Sequence, residues 1–152
     1  MKHFAVAWLC LFLVGLSSLS LAQDYTRPEK TLDTYLEACK AGSYSRAEGC
    51  YTKSSRSLVQ TLVQEQPERD PDLLKGLYEK LKPLSFRLEE VNAKRAILWP
   101  SDENVPPFFL RIQEPEEGWR IDYHFMSNFL KIDKKGWSWR NKRILGIWKS
   151  RE

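Results

Sequence analysis

Few side chains in this sequence combine into a pattern that could make or break covalent bonds. Asp122 and His124 are the candidates for a general base and the carboxylate that orients it, with Tyr123 between them. A spacing of two on an alternating segment places both on one face of a strand, which is also the ordinary polar face of a half-buried strand. The sequence contains neither a Gly-x-Ser-x-Gly turn nor a phosphate-binding loop. We therefore favour a non-catalytic protein and keep an enzyme as the alternative.

Two cysteines follow the first 22 residues, and both end a predicted helix. If the Cα atoms of Cys39 and Cys50 come within about 7 Å, an exported chain could join them by a disulfide. Closing so short a loop stabilises a fold by about 3 kcal/mol in the chain-entropy model. The alternative is two buried free thiols, because both positions lie on apolar helix faces. We expect no metal and no cofactor, because no Cys-x-x-Cys or His-x-x-x-His spacing occurs.

The first 22 residues have the pattern of a secretory signal peptide. Lys2 gives a short positive start, an apolar run covers residues 4–16, and Ser20 and Ala22 are the small residues that precede a cut before Gln23. The apolar run is shorter than the about 20 residues that a membrane-spanning helix needs. We predict export to the periplasm or the cell exterior, with cleavage near Ala22.

Charge is concentrated at the end of the chain. The 152 residues are 42% hydrophobic and 29% charged, which fits one globular domain and excludes collagen-like, disordered and multispan membrane proteins. A net charge of +4 is too small to imply nucleic acid as a partner. Residues 129–152, however, carry eight Lys and Arg against two Asp and Glu. This asymmetry predicts that a C-terminal extension, residues 126–152, has its own partner or docking surface.

The C-terminal extension interleaves basic and aromatic residues. Trp137, Trp139 and Trp148, together with Lys142 and Arg143, are candidates for contact with an anionic membrane surface, where rings lie at the headgroup level and cations over acidic lipid. The alternative is that the rings cover an otherwise bare part of a sheet or a homodimer interface. A protein partner is a third use of the same surface.

Hydrophobic periodicity predicts helices first and strands afterwards. The first helix carries an apolar stripe from Leu32 to Cys39, a capping box at Thr26 and Glu29, and a stop at Gly42. Three more helices follow, capped at Ser43, centred on residues 58–63, and capped at Asp70. The period then changes to two, which predicts strands at residues 84–89, 94–99, 108–113 and 119–125. Ser127 is expected to cap a short helix that Gly136 closes.

This order predicts an α+β fold for residues 23–125, with helices on one face of an antiparallel sheet of about four strands. Two segments also resemble small secreted domains of the nuclear transport factor 2-like superfamily, in particular its uncharacterised envelope-protein branch. They are Pro28-Glu29-Lys30-Thr31-Leu32 with its Gly42-Ser43-Tyr44 turn, and Gly118-Trp119-Arg120-Ile121-Asp122. The resemblance covers about residues 26–125.

The resemblance implies a cone, in which a strongly curved sheet wraps around the helices, a pocket opens at one end, and many members dimerise. Tyr35, Tyr78, Trp119 and Tyr123 are the candidates for lining that pocket. Because the superfamily hosts isomerases, dehydratases and transport adaptors, the fold does not fix the function. The sequence therefore predicts an exported binding or scaffold domain of the cell envelope, with a small apolar ligand or a protein partner. The alternatives are a small-pocket isomerase- or dehydratase-like enzyme and a membrane-surface protein.

Overall fold

Helices precede strands in the computed structural model of the chain, which describes residues 22–65 and 69–150 and, over residues 62–65, the helical backbone alone. The helices are α1 (Pro28–Lys40), α2 (Tyr44–Gly49), α3 (Lys53–Glu65), α4 (Pro71–Leu81), α5 (Tyr123–Phe129) and α6 (Arg143–Ser150). The strands are β1 (Phe86–Asn92), β2 (Arg95–Pro100), β3 (Phe108–Arg111), β4 (Arg120–Ile121), β5 (Leu130–Asp133) and β6 (Gly136–Trp139). The α+β class is confirmed.

The N-terminal helices begin and end largely where their local signals predict. Gly42 has a φ of +64°, the left-handed conformation that ends α1, and the Ser43 hydroxyl accepts the Arg46 amide at the start of α2. The capping box at Thr26 is wrong, because α1 starts one residue later, at Pro28. The Thr26 hydroxyl instead donates to the Asp24 carboxylate at 2.6 Å.

The four-stranded sheet is an antiparallel meander in the order β1-β2-β3-β4. Its two faces carry different sets of apolar side chains, as the alternation of a strand requires. Leu98, Leu110 and Ile121 join the core formed with α1, α2 and α4. Ile97 and Phe109 point to the opposite face, where they pack with Phe125 and Trp148. The sheet is therefore the middle layer of three.

The C-terminal part of the chain covers this second face. Helix α5, the β5–β6 hairpin and α6 follow β4, and their aromatic rings surround Phe109. The Trp148 ring lies edge-on to Phe109 with centroids 5.0 Å apart, and Trp139 does so at 5.7 Å. Of the alternatives for these tryptophans, packing over the sheet is the one that the structure contains. The predicted boundary between residues 125 and 126 falls inside α5.

Two expectations about the end of the sheet are wrong. The fourth strand ends at Ile121 instead of Phe125, because the Asp122 carboxylate accepts the Phe125 amide at 3.1 Å and starts α5 there. Ser127 consequently lies inside α5 and does not cap a helix.

The predicted signal peptide lies almost entirely outside the described residues, as do the side chains of Leu62 and Val63 in the third helix. Among the residues that are described, no helix combines the length and apolar character needed to cross a membrane.

Candidate functional site

A cleft of about 480 Å³ lies between the N-terminal segment and the turn that leads into β4. We call it the Trp119 cleft. Its volume falls in the range of about 300–1,000 Å³ that is typical of small-molecule sites. Its walls include two aromatic rings, two further apolar side chains, two acids and one cation: Tyr25, Trp119, Ile112, Pro115, Glu116, Glu117 and Arg120.

A backbone contact that only glycine allows holds the two walls of the Trp119 cleft together. The Trp119 amide donates to the Tyr25 carbonyl at 2.8 Å. Gly118 has a φ of +70° and a ψ of −155°, a region that other residues rarely adopt. A Cβ atom at this position would lie 2.5 Å from the Tyr25 carbonyl oxygen. Gly118 therefore fixes the N-terminal segment against the turn.

The polar side of the Trp119 cleft is a buried arginine. The Arg120 guanidinium lies over the Tyr25 ring, 3.3 Å from its centroid, and donates to the carbonyl groups of Glu117 and Trp119. Burial lowers the pKa of Arg120 and raises the pKa of Tyr25 to about 12. Arg120 nevertheless remains cationic, because an arginine pKa starts far above neutrality.

Two buried polar atoms of the Trp119 cleft have no hydrogen-bond partner among the described residues. They are Nε of Arg120, a donor, and Oε2 of Glu117, an acceptor. The other carboxylate oxygen of Glu117 accepts from Arg56 at 2.7 Å. Buried polar atoms in folded proteins nearly always have a partner, so the pair indicates a place for water or for a ligand with both donor and acceptor character.

Of the residues predicted to line a pocket, Trp119 alone is in this cleft. Tyr35 lies in the core between α1 and the sheet, with its ring 6.0 Å from that of Phe108. Burial raises its pKa well above the usual value. Tyr78 is half-buried beside lysine side chains, and Tyr123 stacks on the Tyr51 ring at 5.4 Å.

The residues predicted as candidates for catalysis occupy different environments. Asp122 is 4% exposed, and its two oxygens contact the Phe125 amide at 3.1 Å and Nε of Arg111 at 2.9 Å. His124 is exposed, and its backbone amide donates to the Ser55 hydroxyl. The expectation that Asp122 and His124 lie side by side on a strand is wrong, because Asp122 caps α5 and His124 belongs to its first turn.

Asp122 and His124 do line one common cleft, of about 220 Å³, on the second face of the sheet. We call it the arginine cleft, because Arg95 and Arg111 contribute to it together with Asn128 and Trp148. No motif or spacing in the sequence singles out Arg95 or Arg111. Each stands at one end of an alternating strand, and only the strand register shows that they are opposite each other.

Cys39 and Cys50 are buried free thiols in the structure, which therefore contains no disulfide between them. Burial raises the pKa of Cys39 and of Cys50 to about 11. Neutral thiols are poor nucleophiles, so neither is suited to covalent catalysis at neutral pH. Within residues 22–65 and 69–150, no three His, Cys, Asp or Glu side chains form a group that could hold a metal ion.

The predicted membrane-contact residues divide into buried rings and exposed cations. Trp148 is 5% exposed and belongs to the core, so its assignment to the surface is wrong. Trp139 is half-buried against Phe109, and the half-buried Trp137 donates its indole N–H to the Glu103 carbonyl at 2.9 Å. The side chains of Lys142 and Arg143 are exposed on and before α6.

Comparisons of the chain with protein-family models, with curated proteins and with solved structures found no match.

Proposed function

We propose that the chain is an exported, non-catalytic binding domain of the cell envelope and that its ligand site is the Trp119 cleft. The observation that carries this proposal is the pairing of two aromatic walls with the unpartnered polar atoms of Arg120 and Glu117. Apolar walls with a few fixed polar groups are characteristic of sites for small molecules. The ligand that fits is small and largely apolar, with one group that both donates and accepts a hydrogen bond.

The side chains that could do chemistry support a binding role. Asp122 uses both carboxylate oxygens within the fold, and the raised pKa values of Cys39 and Cys50 keep these thiols protonated. We therefore do not carry the isomerase- or dehydratase-like alternative further.

Export and membership of the nuclear transport factor 2-like superfamily belong to the same proposal. The pattern of residues 1–22 supports export to the periplasm or the exterior. The order of helices before an antiparallel sheet supports the resemblance, and the cone-like curvature and homodimer are part of what we propose from it.

The test is a fluorescence titration of the purified, processed protein with an amphipathic aromatic probe, 8-anilinonaphthalene-1-sulfonate, with native mass spectrometry of the same sample. We expect a Trp119→Ala variant to lose at least about tenfold in probe affinity, because burying one large aromatic side chain contributes about 1.5–3 kcal/mol. Trp137→Ala removes a half-buried ring outside the cleft and is the matched control. Equal probe binding by the wild type and the folded Trp119→Ala variant contradicts the proposal.

A second candidate function, contact with an anionic membrane, is favoured by an exposed apolar side chain among cations. Ile132, on β5, is 70% exposed, and the neighbouring Lys131, Lys134 and Lys135 are also exposed. Cations next to an inserted apolar residue suit acidic headgroups.

This candidate predicts salt-sensitive sedimentation with phosphatidylglycerol vesicles that Ile132→Ser weakens. Leu73→Ser is the matched control, because Leu73 is 69% exposed but lies on helix α4 and not on the β5–β6 hairpin. Equal effects of the two substitutions contradict it.

A further inference from the structure

The outer strand of the four-stranded sheet has one open side. The strand β1 (Phe86–Asn92) stands first in the order β1-β2-β3-β4, and β2 is the one strand that pairs with it in the part of the chain that the structure describes. The edge of a sheet carries a row of main-chain N–H and C=O groups that can pair with a strand of another chain. We call the side of β1 that faces away from β2 the β1 edge.

The register with β2 shows which main-chain groups lie along the β1 edge. The Ser101 amide donates to the Ser85 carbonyl at 2.9 Å where β1 begins. Opposite residues of an antiparallel pair alternate between hydrogen-bonded and non-hydrogen-bonded positions, so Arg87 and Glu89 are the next residues that bond to β2. The N–H and C=O groups of three residues between and beside them point outward: Phe86, Leu88 and Glu90.

These outward groups have no partner within residues 22–65 and 69–150. No backbone hydrogen bond reaches Phe86, Leu88 or Glu90 from an element other than β2. Main-chain groups in this position bond to water or to a further strand. The regular pairing extends from Phe86 to Glu90 before the register shifts, so the β1 edge offers three outward residues in one straight stretch.

The charges of β1 are complementary to β1 itself. In an antiparallel pair of two copies centred on Leu88, Arg87 lies opposite Glu89 of the partner subunit, and the same contact is made twice, as a two-fold axis requires. These are non-hydrogen-bonded positions, where Cα atoms are about 4.5 Å apart and opposite charges stabilise the pair. A register centred on Arg87 or on Glu89 would instead place like charges directly opposite each other.

Both members of this charge pair are available to a second copy. The Arg87 side chain is exposed. The Glu89 carboxylate is held on the second face of the sheet by the Trp99 indole N–H at 2.7 Å and by the ammonium group of Lys149. A carboxylate has about four acceptor positions, so Glu89 can still accept from a guanidinium group.

We propose that the β1 edge is a homodimer interface, in which β1 of two copies pairs antiparallel about a two-fold axis at Leu88. The two four-stranded sheets then form one continuous sheet. Leu88 exchanges both of its main-chain hydrogen bonds with Leu88 of the partner subunit, and Phe86 does so with Glu90 of the partner subunit. This interface rests on the homodimer that belongs to the proposed function, and it shares no residue with the Trp119 cleft.

The first test uses the wild-type protein, purified and processed. Sedimentation equilibrium should show a reversible monomer–dimer equilibrium. Amide hydrogen exchange, followed by NMR at low and high protein concentration, should show that dimerisation slows exchange at Phe86, Leu88 and Glu90. The amide of Lys134, which is exposed in the turn between β5 and β6, should exchange at the same rate at both concentrations.

The second test removes one outward N–H from each copy. Proline is tolerated on an edge strand where the N–H faces away from the sheet, so Glu90→Pro should leave the pairing of β1 with β2 intact. It should raise the dissociation constant of the dimer about tenfold or more, because each copy loses a hydrogen bond to the other. Glu90→Thr is the matched control, since it removes the same charge and retains the N–H.

A third variant tests the charge pair. Arg87→Glu places an acid opposite Glu89 of the partner subunit and should weaken the dimer. Lys134→Glu is the matched control, because it changes the net charge equally at an exposed position away from the β1 edge.

The outcomes separate this interface from the rest of the proposed function. A dimer that the folded Glu90→Pro and Arg87→Glu variants leave unchanged overturns the β1 edge as the interface but keeps the homodimer. A protein that stays monomeric at the concentrations used for NMR overturns both, while the probe titration of the Trp119 cleft is unaffected. The proposal is also overturned if the protein dimerises without slower exchange at Leu88. Because exchange is read on the wild type, a variant that does not fold leaves the test intact.

Discussion

Removing the Asp122 carboxylate tests whether this residue supports the fold or performs chemistry. Its two oxygens hold two elements at once, since one accepts the Phe125 amide at the start of α5 and the other lies 2.9 Å from Nε of Arg111 on β3. Loss of a helix cap costs about 1 kcal/mol. Breaking a buried ion pair costs about 3–5 kcal/mol, and we take about 2 because the Arg111 side chain is 26% exposed. Asp122→Ala should therefore lower the free energy of unfolding by about 3 kcal/mol.

The assay is urea unfolding followed by tryptophan fluorescence, with thermal unfolding as a second measurement. For a domain of this size about 3 kcal/mol corresponds to a decrease of about 10 °C in the unfolding midpoint. Asp122→Asn keeps an oxygen for the Phe125 amide and should lose only the ion pair, about 2 kcal/mol. Asp72→Ala is the matched control, because this exposed acid pairs with Lys75 at 3.3 Å on the surface of α4 and should change stability by less than about 0.5 kcal/mol.

A double-mutant cycle with Arg111→Gln gives the sharper result. If the two residues stabilise the fold through each other, the double variant should be more stable than the sum of the single changes predicts, by about 1–2 kcal/mol. The reasoning is refuted if Asp122→Ala costs less than about 1 kcal/mol or if the two substitutions are additive. It is refuted as well if His124→Ala, which removes an exposed side chain, costs as much as Asp122→Ala.

The remaining predictions concern acid, thiols and one glycine. Hydrogen bonds lower the pKa of Glu89, and the largest effect comes from Lys149 on α6. The contact between Glu89 and Lys149 therefore stabilises the fold fully at neutral pH, and this contribution is lost as the carboxylate protonates below about pH 4. The near-ultraviolet circular dichroism of the tryptophans should weaken in acid, and Glu89→Gln should weaken it at neutral pH. Cys39 and Cys50 should not react with Ellman's reagent in the folded protein, and both thiols should react once the protein is unfolded without reductant. If neither cysteine reacts after unfolding, the two are joined by a disulfide and the prediction is wrong. Gly118→Ala should cost about 2 kcal/mol or more, because a Cβ atom meets a backbone oxygen, whereas Gly76→Ala on an open helix face should be neutral or stabilising.

Local signals were sufficient for the helices of the first half. The stripe from Leu32 to Cys39 and the Asp70 cap depend only on neighbours within one or two turns, and the structure has both helices where these signals place them. The same kind of signal was ambiguous around residue 122. Ile121 and Phe125 are four positions apart, which fits one face of a helix, and the alternation of residues 119–125 fits a strand equally well. The structure contains the helix, because the Asp122 side chain caps it.

The candidate sites could not be predicted as well, because they depend on contacts between distant segments. The Trp119 cleft needs Tyr25 beside Gly118, and these residues are 93 positions apart in the sequence. The arginine cleft needs a register that puts Arg95 opposite Arg111. In sequence each residue is an ordinary polar position at a strand end, so periodicity alone has no means of pairing them.

The placement of Trp148 on α6, after every strand of the four-stranded sheet that it covers, also sets the order in which the faces of that sheet are covered. Phe109 and Ile97 remain open to water until α6 has been synthesised, since α6 supplies the ring that covers them. A chain that crosses a membrane unfolded, as we propose for this one, must avoid stable folding before translocation is complete. Here the aromatic layer on the second face of the sheet cannot close until α6 has emerged, so the two faces of the sheet are covered at different stages of synthesis.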